Sequence, residues 1–463
     1  MPLTILQVST HDIAGGAERV AFQLFRAYRQ AGHQSWLAVG QRHTDEEDVY
    51  EIPNDRQRPP WTRMWLGLGR GLKWRVRGMG RLRQACEAIG QPLRTAKVFW
   101  GLEDFDFPGT RRLLDILPDK PDVIHCHNLH GGYFDLRALP WLCRQAPVLL
   151  TLHDAWLMGG HCAHSFTCEG WRTGCLVCRR LDILPRIRRD QAARNWRRKA
   201  DIFRHARVYL TTPCQWLMDK AKQSHLWPSV IEGRVIPNGV DLELFRPADK
   251  AHVRSQLGLP QGAHILLFVA HGIRRNMWKD FAMLEKAMAG ISARPEGGNT
   301  LFLALGESGP DVRLGKARIR FIPYSMEPSR TAMYYQAADI YTHAARIDTF
   351  PNTVLEAAAS GLPVVATAVG GIPEQVKGLS DGGADDLNRY PPEEATGILV
   401  APGDAEAMSR GATKLLANHL LRRQLSENAA RRARAEYGLP RQVDAMLDWY
   451  PQIAAQWRKE AQP

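Results

Sequence analysis

Eleven short apolar runs, each followed by an amphipathic or polar stretch, constrain the fold of this chain more than any other feature. Five lie in the first half, at Thr4–Thr10, Ser35–Gly40, Val123–His127, Val148–Asp154 and Val208–Pro213. Six follow at Ile265–Ala270, Leu301–Gly306, Ile319–Tyr324, Ile340–Ala345, Pro363–Val369 and Gly397–Pro402. Continuous apolar strands separated by amphipathic segments suit a parallel sheet with helices on both faces. Two such series predict an α/β chain of two doubly wound domains facing across a cleft. The Pro and Asn-Gly of Val235-Ile236-Pro237-Asn238-Gly239-Val240-Asp241 mark a turn between them. The first domain is expected over residues 1–240 and the second over 241–440. A last helix over 441–463 is expected to return to the first domain. A length of 463 residues fits two or three domains of about 150 residues each.

Composition narrows the class further. No window approaches ~18 consecutive apolar residues, so no membrane-spanning helix is expected. The start, Met-Pro-Leu-Thr-Ile-Leu-Gln-Val, lacks a basic region and a small-residue cleavage site, which predicts a cytosolic protein. Eight cysteines are too few for a disulfide scaffold. With 61 Lys and Arg against 48 Asp and Glu, the net charge of +13 favours anionic partners: nucleic acid, a membrane surface or phosphorylated substrates.

In doubly wound domains ligands bind beyond the carboxyl ends of the strands, so the residues found there are the candidates. After the first run, Gly15-Gly16 opens a helical pattern. Paired glycines let backbone approach a ligand, and a helix N-terminus favours an anion. An ordinary βα turn is the alternative, and the G-x-G-x-x-G dinucleotide spacing is missing. Two further runs end in His125-Cys126-His127-Asn128 and in His153-Asp154, placing imidazoles where they can bond or polarise a substrate; a structural role is the alternative for each. In the second half, Arg274 and Lys279 stand five apart between a strand and a helix, where they can clamp a diphosphate without metal. Solvated surface charge is the competing reading. The segment Asp348-Thr349-Phe350-Pro351-Asn352-Thr353-Val354-Leu355-Glu356 reads as loop then helix, with one carboxylate before the helix and one inside it. Its helix N-terminus can face a phosphate while Glu356 accepts two sugar hydroxyls. Gly370-Gly371 again follows a strand.

Taken in order, these pieces resemble the retaining glycosyltransferases of family 4, which have the GT-B fold of two Rossmann-like domains. The resemblance implies that Glu356 binds the nucleotide ribose and that Arg274 and Lys279 hold the diphosphate. By position, Asp348 stands near the transferred sugar, His153 beside the reacting centre, and Gly15 and Gly16 under the phosphates. Phe350, Pro351, Asn352 and Thr353 belong to the same donor segment, while His125, His127, Asn128 and Asp154 fall on the acceptor side. Two departures stand out: Asp348 is one methylene shorter than the family's Glu, and Asp280 replaces a Gly. The run Thr151-Leu152-His153-Asp154-Ala155-Trp156, with Gly159-Gly160-His161-Cys162 and the later cysteines, resembles the exopolysaccharide, O-antigen and colanic acid transferases. That likeness implies a UDP- or GDP-sugar donor and a glycan acceptor on a polyprenyl diphosphate carrier. It also implies chemistry driven by positive charge with no required cofactor, and a place at the inner face of the cell membrane. No second carboxylate pair demands a covalent intermediate.

Three features stand outside that resemblance. Cys162, Cys168, Cys175 and Cys178, in a loop over 159–180, can supply a tetrahedral structural zinc, with His161 or His164 as substitute ligands; buried free thiols are the alternative. The insertion at about 55–100 contains residues 60–84, with seven Lys or Arg, three Trp and no acid. Trp61, Trp65, Leu68, Leu72, Val76, Met79 and Leu82 would share one face of a basic amphipathic helix, which reads as membrane-interfacial. Packing of that face on the first domain is the alternative, and five glycines weaken the helix. Arg179–Arg207 is expected to form a solvated or membrane-facing helix, and Asp104-Phe105-Asp106 a surface or cap. Rival readings are a nucleotide-sugar epimerase of the same fold and, from charge alone, a nucleic-acid-binding protein; no nucleic-acid motif supports the latter.

Overall fold

The computed structural model describes residues 2–71, 79–380, 382 and 387–461. It divides into two compact units. One comprises Met1–Pro213, Leu217–Ile236 and Ala445–Pro463; the other comprises Cys214–Trp216 and Pro237–Asp444.

The first unit holds strands β1 (Thr4–His11), β2 (Gln34–Gln41), β3 (Val49–Glu51), β4 (Val123–Cys126), β5 (Val148–Thr151), β6 (Val208–Thr212) and β7 (Val230–Val235). They form one parallel sheet in the order β3-β2-β1-β4-β5-β6-β7. The second unit holds β8 (His264–Val269), β9 (Thr300–Leu305), β10 (Val312–Leu314), β11 (Ala317–Ile322), β12 (Ile340–His343), β13 (Val364–Thr367) and β14 (Gly397–Val400). Their order is β10-β11-β9-β8-β12-β13-β14, parallel except for the β10–β11 edge. The fold is therefore α/β with two doubly wound sheets.

Central strands are buried along their whole length, as at β5 and β9, because helices lie on both faces. In each sheet the strand order reverses beside the first strand, between β1 and β4 and between β8 and β12. Those two switch points are where a crevice forms at the strand ends.

Residues 60–84 do not form one helix. The helices Pro60–Gly71 and Met79–Gly90 pack against each other; 72–78, with Leu72 and Val76, lie outside the described residues. Thr62 Oγ1 donates to Gly90 O at 2.7 Å and Trp61 Nε1 to Ile89 O at 3.1 Å, tying the pair antiparallel. Gly67, Gly69 and Gly71 each weaken the first helix by about 1 kcal/mol. Trp65 is half-buried against Gly90, whereas Trp61 and Leu68 are each 55% exposed. The Arg179–Arg207 expectation is likewise corrected: only Ala192–Arg204 is helical there, and its Lys199 is fully buried. Among the described residues no helix is long and apolar enough to cross a membrane.

Candidate active site

At the switch point of the second sheet, β8 leads into the turn Ile273–Arg275 and then Lys279, while β12 ends at His343 and leads to Asp348. These ends bring three groups together. Lys279 Nζ pairs with Asp348 Oδ2 and lies 3.0 Å from His343 Nε2, which is itself 3.4 Å from the same carboxylate oxygen. Burial alone would raise the Asp348 carboxyl, but the Lys279 ammonium and His343 outweigh it and hold it well below the usual range. Burial, helped by Lys279, pushes His343 down to about 4. His343 was missed by sequence reasoning; its signal was a polar residue closing an otherwise apolar strand.

Arg274 is also carboxylate-held: its Nε donates to Glu307 Oε1 at 2.6 Å, with the guanidinium 4.5 Å from the Phe321 ring centroid. Arg274, Arg275, Lys279 and Arg346 line a cavity of about 420 Å³, a size and charge suited to a diphosphate. Asp280, the departure from the family's Gly, caps the next helix by accepting from Met283 N at 3.2 Å. The Asp348 loop lies flat on Gly370-Gly371. A Cβ at Gly370, whose φ is +58°, would sit 1.7 Å from Asp348 O, so only glycine admits this contact.

Glu356 sits in the helix Asn352–Ala359, 4% exposed, and its Oε2 accepts from the Tyr335 hydroxyl at 2.8 Å. Asn352 Oδ1 accepts from Asn238 at 2.9 Å, Pro351 caps the helix, and Thr353 is half-buried in its first turn. Phe350 is buried edge-on against Tyr437, so its ring is a support for the loop rather than a surface for ligand.

At the switch point of the first sheet, Gly15 caps the helix Gly16–Gln30, and both glycines are exposed. The sharp bend after β1 is held by buried Asp12, which accepts from Thr44 N and Thr44 Oγ1, each at 2.7 Å. His153 is half-buried and meets His127 at 3.1 Å, and His127 meets the Gln7 amide at 3.1 Å. His125 is fully buried, between Thr151 Oγ1 (2.6 Å) and the Tyr450 hydroxyl (2.8 Å). His127 is buried too, leaving His153, Asn128 and Asp154 nearer the surface. Asp154 Oδ2 is 2.7 Å from His130 Nε2, a partner not singled out in the sequence.

Burial pushes His125 down to about 3, His153 down to about 4 and His127 well below its ordinary value. The unfolded chain then binds more protons between pH 6.5 and about 4, so stability rises with pH across that window. Each such histidine costs about 1.4 kcal/mol per pH unit below 6.5. The melting temperature of this unit is expected to fall by on the order of 10 °C from pH 7 to pH 5, read by calorimetry. A pH-independent transition would contradict the buried neutral cluster.

Cys162, Cys168, Cys175 and Cys178 are not assembled as a tetrad among the described residues. Burial pushes Cys162 up to about 12 and Cys175 up to about 11, and Cys168 is exposed. His161 Nε2 is 3.4 Å from Cys178 Sγ, yet among the described residues no group of three or more metal-ligating side chains is placed to hold an ion. Asp104 and Asp106 are paired with Arg94 and Arg58, while Phe105 is buried against Trp156.

Residues 14–244 match the family described as Glycosyltransferase Family 4, and residues 263–418 match Glycosyl transferases group 1. The chain is 27% identical over 261 residues to the putative colanic acid biosynthesis glycosyl transferase WcaC of Escherichia coli K12, covering 53% of this chain and 60% of that protein. It is 32% identical over 241 residues to the D-inositol 3-phosphate glycosyltransferase of Actinosynnema mirum, covering 49% and 53%. The chain thus spans little more than half the length of these curated relatives. Among solved structures, sucrose-phosphate synthase from Thermosynechococcus elongatus matches with a TM-score of 0.60 at 20% identity, over 98% of this chain and 100% of that one. Anabaena HepE in complex with UDP and glucose matches with a TM-score of 0.60 at 15% identity, over 96% and 98%. These likenesses show the fold, the GT-B architecture.

Proposed function

From the premise that the chain belongs to the family 4 and group 1 glycosyltransferases, we propose that it moves a sugar from a UDP- or GDP-sugar to a polyprenyl diphosphate-linked glycan. The reaction retains the anomeric configuration and serves bacterial surface polysaccharide assembly. The observation that carries this reading is the Lys279–His343–Asp348 cluster beside Arg274 at the β8–β12 switch point. Its cations suit a departing nucleoside diphosphate, and Glu356 suits the ribose hydroxyls. In this reading the bond from the anomeric carbon to the phosphate oxygen breaks as the acceptor hydroxyl attacks from the same face. The acceptor's proton passes to that phosphate oxygen, and Arg274 and Lys279 supply the charge that a metal supplies elsewhere. His153 stands for contact with the transferred sugar, with Asn128 and Asp154 toward the acceptor. The likeness to WcaC, a putative colanic acid biosynthesis transferase, supports polysaccharide assembly, and the UDP complex of HepE supports a UDP-sugar donor. Passage of label from a nucleotide sugar into lipid is the direct test.

The same reading places the enzyme in the cytoplasm, peripherally bound at the inner face of the membrane. The paired helices Pro60–Gly71 and Met79–Gly90 expose Trp61, Met64, Leu68 and Leu82, and residues 60–84 of the sequence carry seven cations and no acid, with Glu87 the one acid of the second helix. Each cation near an anionic surface contributes about 1 kcal/mol. The protein is expected to sediment with anionic vesicles, to bind neutral ones poorly and to release at high salt. Trp61→Ser with Leu68→Ser should weaken sedimentation at least fivefold without changing UDP binding. Equal binding to neutral and anionic vesicles would contradict the electrostatic part.

A further inference from the structure

A cavity of about 640 Å³ in the first unit takes no part in the donor site. Its walls include Val98, Leu102, Leu129, Phe134, Trp156 and Ile187, and its rim carries Arg186 and Arg188. The polar groups in it are arranged unequally. Glu103 Oε1 accepts from the buried Lys199 Nζ at 3.1 Å, and Asp104 Oδ2 from Arg94 Nε at 2.6 Å. Asp182 Oδ1 accepts from Arg180 Nε at 2.9 Å, and the Asp154 carboxylate beside the cavity is joined to its His130. Each acid therefore already has a basic partner. Arg186 Nε donates to Asp182 O at 3.0 Å and its charge also acts on the Asp182 carboxylate, while Arg188 lies 5.7 Å from the Phe99 ring centroid. The charge left over is positive, at the mouth of an apolar chamber.

The inner wall is rigid. Lys199 Nζ donates to the carbonyls of Trp156 (2.9 Å) and Gly159 (3.0 Å) and sits 3.9 Å from the Trp156 ring centroid. The Trp156 indole N–H is spent on Glu103. With its N–H occupied, the indole presents only apolar surface inward. Phe99 and Trp100 stand exposed beside the mouth, with Arg189 3.9 Å from the Trp100 ring centroid.

An apolar cavity of this size, with two exposed arginines at its rim, matches an amphipathic anion better than a free sugar. We infer that the cavity holds the carrier end of the acceptor: the first isoprene units in the chamber and their diphosphate on Arg186 and Arg188. This rests on the lipid-linked acceptor proposed above, and it assigns that acceptor's lipid to a pocket separate from the exposed helix pair.

Calorimetry of the full chain with farnesyl diphosphate, inorganic diphosphate, N-acetylglucosamine and UDP tests it. Farnesyl diphosphate should bind saturably and at least tenfold more tightly than inorganic diphosphate. Ile187→Asp, on a surface loop, and the double variant Arg186→Gln with Arg188→Gln should each weaken it tenfold or more, with UDP affinity unchanged. Equal affinity of wild type and variants for farnesyl diphosphate would overturn the assignment, as would binding of N-acetylglucosamine in its place. Transfer of sugar to a lipid-linked acceptor without farnesyl diphosphate binding would sink the pocket and leave the enzyme reading intact. Wild-type protein that binds no nucleotide would sink the enzyme reading instead.

Discussion

Lys279→Met is expected to lower sugar transfer by about 10²–10³-fold, the size of loss seen when one preorganised donor to developing negative charge is removed. The ammonium is held in place by Asp348 and His343 before any ligand arrives, so its position costs no reorganisation during the reaction. Its loss also leaves the half-buried Asp348 carboxylate without its ammonium partner, so the variant is expected to melt at lower temperature. Lys279→Met with Asp348→Asn separates the two effects: it removes the stranded charge and should recover stability while transfer stays low. Initial rates at saturating donor, with melting curves of both variants, read this out. Transfer within twofold of wild type would show that the ammonium does not serve the leaving group.

Glu356→Gln is expected to weaken UDP binding by roughly 1.5–3 kcal/mol, about ten- to hundredfold, because hydrogen bonds to a charged acceptor are lost. The fold should persist, since a glutamine oxygen can still accept from the Tyr335 hydroxyl that now bonds Oε2. Calorimetric titration with UDP and with GDP, beside a melting curve, measures both parts. Unchanged nucleotide affinity would move the ribose site away from this helix.

The strands were legible because parallel strands buried on both faces must be continuously apolar. Those missed fail that condition: β3 and β10 have three residues each, and every residue of β7 is only partly buried. The donor segment was legible because Asp348 and Glu356 lie eight positions apart in one loop and helix. His125 was not. Nothing local distinguishes it from His153, and its burial depends on Tyr450, 325 residues away. Lys199 was hidden for the same reason: within a run of cations its charge suggests solvent, and only the folded chain brings Glu103 and two carbonyls to it. The single helix expected over 60–84 is replaced by an antiparallel pair, because face periodicity carried no information about the contact of Thr62 with Gly90. Arg274 and Lys279 were placed by sequence, but their carboxylate partners Glu307 and Asp348 come from other strand ends.

The central claim is transfer from a nucleotide sugar to lipid by a charge-lined site that needs no divalent metal. It is tested by incubating the protein with radiolabelled UDP- and GDP-sugars, membrane lipid extract and excess EDTA, then partitioning the label between water and organic solvent. One donor is expected to pass label into the organic phase in wild type, with hundredfold less in Lys279→Met. Label that stays in water as free sugar or as an epimer, or that moves only when Mg²⁺ or Mn²⁺ is restored, would contradict the account.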